Sequence, residues 1–267
     1  QQAADGVKEI MLDKKFGASG NHVVVEEFLT GPEVSVLSFC DGKTVKPMVS
    51  SMDHKRALDH DEGLNTGGMG TVAPNPYYTP AVAERCMQEI FLPTVAAMQA
   101  EGCPFKGCLY FGLMLTPDGP KVIEYNCRFG DPETQVVLPL LESDLLTVME
   151  ATTNGTLDKT DVKFSDGAAA CVILASGGYP LAYEKGKEIT GLTAGQLDAA
   201  DVTVYHAGTA IKDGRLVTNG GRVLGVTATA NTLPEALKKA YAATESIHFD
   251  KLHKRSDIGA RALAAMQ

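Results

Sequence analysis

The feature that most constrains the fold is a series of tight-turn signals between β-branched runs near the start of the chain. Gly31-Pro32 separates the predicted strands 22–29 and 33–39, and Asp41-Gly42 then leads into a third run, 44–49. Short signals of this kind connect neighbouring antiparallel strands. The sequence therefore predicts an antiparallel meander in this region.

A second strand pair is predicted at 108–115 and 121–125, with the turn Pro117-Asp118-Gly119 between them. Helix-period segments alternate with such runs along the chain, without repeats, so the fold class is mixed α and β, of the α+β type. The other predicted elements are helices beginning at Pro80 (capped by Thr79), Pro132, Ser143 and Thr232 (through a capping box with Glu235), and strands at 168–175, 202–210, 215–218 and 222–229.

Three regions are expected along the chain. A boundary is predicted near residues 156–167, after the helix that ends at Asn154-Gly155. It separates a larger region, 22–160, which contains the candidate site, from a small β-rich region, 161–267. Residues 1–21 are expected as a separate first region, with a helix-like run at 7–12. They contain neither an initiating Met nor a signal-peptide pattern, so the sequence is expected to begin inside a longer protein.

Charge and cysteine content exclude several classes of function. The chain has 24 basic and 33 acidic residues and a net charge of −9, so neither nucleic acid nor an anionic membrane is expected as a partner. The longest uncharged stretch, 168–183, is interrupted by Gly177, Gly178 and Pro180 and cannot supply the roughly 20 apolar residues of a membrane helix. The six cysteines form no C-x-x-C pair, which argues against a zinc site and favours a cytoplasmic location.

Glu124 and Asn126 are the candidate metal ligands. Together with Val122 they are expected on one face of strand 121–125, because side chains alternate along a strand. Two hard oxygen ligands suit Mg²⁺, which completes its octahedron with water and substrate phosphates. Arg128 adds a donor fork for phosphate or carboxylate. Spacing alone favours the simpler interpretation of an edge strand with polar residues on its solvent face.

Two further segments could bind an anion. The glycine-rich loop 65–70 could bring backbone N–H groups close to one, but it does not match the P-loop. With Pro74 and Pro76 behind it, the loop cannot open the helix that the dinucleotide fingerprint needs. Asp53-His54-Lys55-Arg56 places an acid beside two cations, which suits a zwitterion or a phosphate, although a solvated loop is the simpler interpretation.

A purine-binding edge is the interpretation of the segment Glu26-Glu27-Phe28-Leu29, with Glu33 shortly after it. Edge-strand backbone groups beside an apolar wall can recognise a purine, and a nearby carboxylate can accept ribose hydroxyls. Solubilising surface charge is the alternative. The sequence contains no evident Ser/His/Asp set or Cys/His dyad, and His206 is interpreted as a structural histidine.

Five motifs occur in order along almost the whole chain. They are VVEEFL at 24–29, DHKR at 53–56, NTGGMG at 65–70, KVIEYNCRFGDPET at 121–134 and TNGGRV at 218–223. Together they closely resemble the glycinamide ribonucleotide synthetase (phosphoribosylamine–glycine ligase) family of the ATP-grasp superfamily. The resemblance implies an ATP-grasp fold and the ligation of glycine to 5-phosphoribosylamine, through a glycyl phosphate and with cleavage of ATP, in purine synthesis.

The resemblance also implies roles for individual residues. Glu124 and Asn126 match the family's Mg²⁺ or Mn²⁺ ligands. Its adenosine-binding segment matches Glu26, Glu27, Leu29 and Glu33. The residues expected to hold glycine and the phosphoribosyl group are Asp53, Lys55, Arg56, Gly67, Gly68, Arg128 and Asp131, the last two being assigned to catalysis. Charge stabilisation and alignment, rather than a nucleophilic side chain, are the expected catalytic devices.

Two departures from the family pattern matter. Many ATP-grasp enzymes have a further metal-binding carboxylate on the preceding strand, but 110–115 contains none. The family also has an amino-terminal domain and the first half of the smaller ATP-grasp lobe, of which residues 1–21 resemble only the end. The chain is therefore expected to be inactive without that amino-terminal portion as a partner. The alternatives are another ATP-grasp carboxylate–amine ligase and a non-catalytic nucleotide-binding module.

Overall fold

The computed structural model describes residues 1–192 and 201–267 and divides into two units, Gln1–Thr30 and Gly31–Gln267. The strands, in chain order, are β1 (Glu33–Asp41), β2 (Val45–Pro47), β3 (Met52–Asp53), β4 (Arg56–Leu58), β5 (Glu62–Asn65), β6 (Gly70–Ala73), β7 (Lys106–Thr116), β8 (Gly119–Asn126), β9 (Ala168–Ser176), β10 (Val202–His206), β11 (Thr209–Lys212), β12 (Arg215–Thr218), β13 (Arg222–Ala230) and β14 (Leu252–His253). The α-helices are α1 (Gln2–Val7), α2 (Pro80–Cys86), α3 (Leu92–Ala100), α4 (Thr134–Val137), α5 (Leu145–Asn154), α6 (Leu233–Thr244) and α7 (Ala260–Ala265).

The first unit is mostly helical. A π-helical segment, Lys8–Leu12, continues α1, and a 3₁₀ segment follows at Gly17–Asn21. The strand predicted at 22–29 is wrong, because these residues lie in neither helix nor strand. A strand needs a hydrogen-bonded neighbour, and no described strand pairs with this segment, in which Val24, Val25 and Phe28 are exposed.

The first sheet has the antiparallel order β2-β1-β7-β8. The predicted hairpin is confirmed as β7 and β8, which meet at a tight turn closed by Gly119 pairing with Thr116. The predicted meander is wrong at its first strand. The second neighbour of β1 is β7, which pairs with it along its whole length from Glu33 to Asp41.

The second sheet has the order β10-β13-β9-β6-β3, with β14 also beside β9. Its central pair joins β6, from the first half of the chain, to β9, with Gly70 opposite Val172. The sheet thus spans the boundary expected near 156–167. The division at residues 21 and 160 stays a prediction, although the structure itself separates the chain after Thr30.

The strand predicted at 202–210 is two strands, because the chain turns between β10 and β11. The N–H groups of Ala207 and Gly208 both donate to the carbonyl of Val223. A Cβ at Gly208 would lie 2.4 Å from the Arg222 carbonyl oxygen. At this turn the two backbones are so close that only glycine fits at residue 208.

Helix ends follow their caps with small departures. Thr79 caps α2 as predicted, accepting from the Val82 N–H. Asp144 rather than Ser143 caps α5, since its carboxylate accepts from the Thr147 N–H. Helix α6 begins at the predicted place, but the Thr232 side chain makes no capping hydrogen bond, so the capping box is not formed.

The second unit is layered. Helices α2 and α3 cover one face of the first sheet, and the other face packs against α4, α5 and β9. Helix α6 covers the far side of the second sheet. The inner face of the first sheet is buried at Leu37, Phe39 and Tyr110, whereas its polar edge opens onto the site described below. Within the two described ranges, no helix is long and apolar enough to cross a membrane.

Candidate functional site

A cavity of about 270 Å³ lies at the polar edge of the first sheet. Strands β1, β7 and β8 form its floor, and the segment around β4 and β5 forms its wall. Three predicted site residues, Glu33, Lys55 and Glu124, line it together. Its other lining residues are Val34, Ser35, Asn65, Tyr110, Gly112, Leu113 and Ile123.

Strand register explains why Glu124 faces this cavity. Gly112 of β7 lies directly opposite both Ser35 of β1 and Glu124 of β8, and opposite residues share a sheet face. A Cβ at residue 112 would lie 2.9 Å from the Glu124 Cγ, so only glycine leaves that side chain its space. The Glu124 carboxylate is therefore positioned by the sheet rather than by a loop.

A β-bulge corrects one sequence prediction. The register of β7 and β8 shifts between Gly112 and Leu113, which pair with Glu124 and Val122, so Ile123 is the extra residue. Val122 consequently lies on the helix-covered face with Leu113, not beside Glu124 as predicted. The bulge brings Ile123 to the cavity in its place.

Glu124 and Asn126 are neighbours on the cavity side of β8, as predicted. The Asn126 Nδ2 donates to the Glu124 Oε1 at 3.1 Å. One carboxylate and one carboxamide fit a hard cation that takes its remaining ligands from phosphates and water. Among residues 1–192 and 201–267, no group of three or more His, Cys, Asp or Glu could hold a metal ion.

Two buried carboxylates, Asp53 and Glu133, lie behind the cavity. Tyr110 links one of them, Glu133, to the cavity lining, because its hydroxyl lies 2.7 Å from the Ser35 Oγ and donates to Glu133 at 3.1 Å. Burial, and then the charge of Glu133, raises the pKa of Asp53 well above its ordinary value. The same two causes raise the pKa of the Tyr110 hydroxyl, which therefore stays protonated.

Lys55 is the cation among these acids. Its Nζ lies 3.6 Å from the Asp53 Oδ2. Desolvation lowers the pKa of Lys55, but the surrounding carboxylates outweigh burial and raise it above the ordinary value; they are Asp53, Glu33, Glu133 and Glu124. Lys55 is therefore charged and adjacent to the cavity, as a binding site for an anion requires.

The glycine-rich loop packs against Asp53. Gly68 has a φ of +110°, and a Cβ there would lie 2.5 Å from the Pro132 Cδ and 2.6 Å from the Asp53 Oδ1. Only glycine combines this backbone conformation with this contact. The Thr66 Oγ1 accepts from the Gly68 N–H at 2.9 Å, which ties the loop to itself.

Arg222 is a residue of this site that the sequence did not assign. It reaches from β13, donating to the Gly67 carbonyl at 2.6 Å and to the Asp131 Oδ2 at 3.0 Å. The predicted residues Gly67, Gly68 and Asp131 therefore meet around a guanidinium from the other half of the chain. The TNGGRV motif, which contains Arg222, was the one sequence signal that could have indicated this residue. The motif could not show the pairing with Asp131, because that contact joins residues far apart in the chain.

Two further predicted residues of the second unit, Arg56 and Arg128, make other contacts. Arg56 is exposed and donates to the Gly63 carbonyl at 2.7 Å across the hairpin of β4 and β5. Arg128 is exposed and donates from its Nη1 to the neighbouring Phe129 carbonyl at 3.0 Å. Glu26, Glu27 and Leu29 belong to the first unit. Their role in binding stays a prediction.

Comparison with known proteins gives a consistent result. The family model of the phosphoribosylglycinamide synthetase ATP-grasp (A) domain matches residues 1–134, and that of the C domain matches residues 169–261. A phosphoribosylamine–glycine ligase of Vibrio vulnificus (strain YJ016) is 48% identical over 100% of this chain, which spans 62% of that protein. The trifunctional purine biosynthetic protein adenosine-3 of Gallus gallus is 50% identical over 99% of this chain and 26% of its own length.

Solved structures agree. A crystal structure of phosphoribosylamine–glycine ligase from Thermotoga maritima has a TM-score of 0.85 and 36% identity, covering 96% of this chain and 63% of that one. A biotin carboxylase from Campylobacter jejuni, in a complex with β-γ-ATP, has a TM-score of 0.60 and 14% identity, covering 86% and 48% of the two chains. At that identity the second likeness concerns the fold alone.

Proposed function

This chain belongs to the phosphoribosylglycinamide synthetase family and has the ATP-grasp fold, and on that premise we propose that it takes part in joining glycine to 5-phosphoribosylamine. The reaction would cleave ATP to ADP and phosphate and yield glycinamide ribonucleotide for purine synthesis. Because the chain spans 62% of its bacterial relative, the activity is proposed for the protein in its complete form.

The observation that supports this proposal is the meeting of opposite charges in one cavity. Glu33, Lys55 and Glu124 all line one cavity of about 270 Å³, and Asn126 is hydrogen-bonded to Glu124. Such a site can place a polyphosphate between a cation of the protein and a divalent metal. A solvated surface strand, the simpler interpretation of the sequence, would not place these side chains around a common opening.

Glu124 and Asn126 would hold Mg²⁺ or Mn²⁺, with ATP phosphates and water as the other ligands. The metal would neutralise charge on the transferred phosphoryl group. The donor atoms suit either of these hard cations, because both side chains offer oxygen and neither a thiol nor an imidazole lines the cavity.

The proposed chemistry has two steps. The glycine carboxylate attacks the γ-phosphorus, the bond from that phosphorus to the ADP oxygen breaks, and glycyl phosphate forms. The phosphoribosylamine nitrogen then attacks the glycyl carbonyl carbon, phosphate leaves, and the nitrogen loses a proton as the amide forms. Neither step needs a side-chain nucleophile, so the protein contributes alignment and charge.

Residues of the second unit would hold glycine and phosphoribosylamine. Lys55 would contact a carboxylate or phosphate; its position in the lining of the cavity supports this role. Arg222, whose guanidinium donates to the Gly67 carbonyl and to Asp131, would hold the glycine-rich loop in place beside the substrate. Arg128 is exposed and available for the phosphoribosyl phosphate. We assign the adenosine to Glu26, Glu27, Leu29 and Glu33, by resemblance.

The test is ADP formation by the complete protein. The proposal requires steady ADP release that depends on both glycine and phosphoribosylamine and on a divalent cation. ATP cleavage that ignores glycine, or the use of another amine with equal efficiency, would assign the site to a different ligase. Absence of any ATP cleavage in the complete protein would instead favour a non-catalytic nucleotide-binding module.

A further inference from the structure

Arg255 is a fully buried cation in the carboxyl-terminal region, with 1% of its surface exposed. Burying a guanidinium is costly unless its N–H groups and charge are matched. Asp257 accepts from its Nε at 2.8 Å and from its Nη2 at 2.9 Å, as a bidentate pair. Its Nη1 donates to the Asp61 Oδ1 at 2.9 Å and to the Arg56 carbonyl at 3.2 Å.

These last two partners belong to the hairpin of β4 and β5, almost 200 residues earlier in the chain. We call residues 253–259 the clamp segment. Five more hydrogen bonds join the clamp segment to this hairpin and to His54, two residues before it. Four of them run from His60 N–H to Asp257 Oδ2 (2.8 Å), from Ser256 N–H to Asp59 Oδ1 (2.8 Å), between His253 Nε2 and the Ala57 carbonyl (2.7 Å), and from Gly259 N–H to His54 Nε2 (3.0 Å). In the fifth, the Ser256 hydroxyl donates to the Asp59 carboxylate.

Apolar burial contributes little to holding the hairpin. Ala57 is buried in β4, whereas every residue of β5 is exposed. The turn between the strands places His60 and Asp61 at positive φ, a conformation that non-glycine residues rarely adopt. A segment with few buried apolar contacts opens easily unless polar contacts hold it. Arg255 and its neighbours supply those contacts.

The hairpin in turn supports the candidate site at both ends. Lys55 directly precedes β4, and Asn65 ends β5; both line the cavity. The Thr66 N–H and Oγ1 both donate to the Lys55 carbonyl, at 2.7 and 2.8 Å, which joins the glycine-rich loop to the base of the hairpin. Opening of the hairpin would therefore displace the cation and the loop together.

We propose that Arg255 is a positioning residue, which acts through the hairpin of β4 and β5 to hold Lys55 and the glycine-rich loop at the substrate cavity. The role of the loop in substrate binding rests on the proposed function; the ordering of the hairpin does not. Arg255 itself lines no part of the cavity, so its effect is indirect.

The first test is amide hydrogen exchange on the full chain, comparing peptides from 56–68 with peptides from β9. Arg255→Met should speed exchange in 56–68 by about tenfold or more and change β9 by less than about threefold. Arg215→Met is the matched control, since Arg215 is exposed and pairs with Glu188 away from the hairpin. Unchanged exchange in 56–68, or an equal rise in β9, would overturn the proposal.

A milder variant guards against loss of folding. Ser256→Ala removes an exposed hydroxyl that donates to Asp59, without leaving a buried charge unpaired. It should speed exchange in 56–68 by a smaller factor, about threefold, with β9 unaffected. The proposal would be overturned if Ser256→Ala had no effect on exchange and Arg255→Met unfolded the whole protein. Arg255 would then stabilise the core and have no specific role in ordering the hairpin.

Steady-state kinetics of the complete protein provide the second test. Displacing the loop should raise the apparent KM for phosphoribosylamine by about tenfold in Arg255→Met and by about threefold in Ser256→Ala, and should leave kcat within about threefold in both. Faster hairpin exchange with an unchanged KM would overturn the positioning role. If the unmodified complete protein makes no glycinamide ribonucleotide, the proposed function fails, while the exchange result still decides whether Arg255 orders the hairpin.

Discussion

Gly112 and Glu124 lie directly opposite each other on β7 and β8, so closely that a Cβ on Gly112 would lie 2.9 Å from the Glu124 Cγ. The candidate metal ligand therefore owes its position to the absence of a side chain on the neighbouring strand. The packing of β7 against β8 therefore determines where the Glu124 carboxylate lies. A substitution at residue 112 can displace that carboxylate without altering Glu124 itself.

Gly112→Ala is expected to weaken the metal site through this contact. The φ of Gly112 is not in the left-handed region, so alanine can adopt the backbone, and the Glu124 side chain must shift instead. We expect the Mg²⁺ concentration for half-maximal ADP formation to rise about tenfold, with a stability loss of about 1 kcal/mol. The control is Gly6→Ala, where an added Cβ meets nothing within 4 Å. An unchanged Mg²⁺ titration would refute the assignment of Glu124 to the metal or the role of Gly112.

Glu124→Gln should reduce catalysis far more than stability. The substitution keeps the shape but removes the charge that binds the cation, and a loss of a few kcal/mol of transition-state stabilisation lowers the rate at least about a hundredfold. Glycine-dependent ADP formation across a Mg²⁺ titration measures this in the complete protein. Glu150→Gln, at an exposed position of α5, is the control. Near-normal turnover in Glu124→Gln, with only a small change in melting temperature, would favour a surface strand.

Arg128→Lys should raise the apparent KM for phosphoribosylamine, by about tenfold, and change kcat little. Lysine keeps the positive charge but loses the planar donor fork that binds a phosphate through two hydrogen bonds. The control is Arg215→Lys, another exposed arginine. If the KM for phosphoribosylamine stays the same and that for ATP rises, Arg128 contacts the γ-phosphate instead.

His54 should make the folded state sensitive to mild acid. It is buried, with its Nε2 accepting from the Gly259 N–H and its Nδ1 3.2 Å from the Gly70 carbonyl, which requires a neutral ring. Burial, and then the charge of Arg255, lowers the pKa of His54 to about 4. Between pH 6.5 and about 4 the unfolded state binds more protons, so this contribution to stability is complete above about pH 6.5 and falls as the pH drops.

The loss expected by pH 4 is on the order of 3 kcal/mol in the free energy of unfolding. Urea denaturation at several pH values measures it, with His54→Gln as the comparison, because glutamine can donate and accept without titrating. Asp53, whose pKa is raised, contributes with the opposite sign in both proteins and cancels in the difference. Parallel pH profiles for the two proteins would contradict the prediction.

Local patterns predicted those parts of the fold that depend on neighbouring residues. The hairpin of β7 and β8 follows from the turn Pro117-Asp118-Gly119. The end of α5 follows from Gly155, which has a φ of +72°. The proximity of Glu124 and Asn126 follows from the two-residue period of a strand. In each case the signal and the structure it specifies lie within a few residues of each other.

Other features were decided by contacts that the sequence does not encode locally. The bulge at Ile123, which moves Val122 to the opposite face, depends on the register with β7. The strand predicted at 22–29 has an apolar pattern but no described partner, and strand formation requires one. Periodicity cannot reveal either, because both depend on what lies beside the strand.

The sequence by itself determined the family, the charge of the site and the identity of its candidate ligands, because these reside in residue types at short, ordered spacings. Tertiary structure alone decided that Arg222 meets Asp131 and that Arg255 reaches the hairpin of β4 and β5. Those contacts join residues 91 and 194 positions apart. Such pairs form only when two sheets and their connecting segments have packed, and the energy of a buried guanidinium then depends on which carboxylates the fold brings to it.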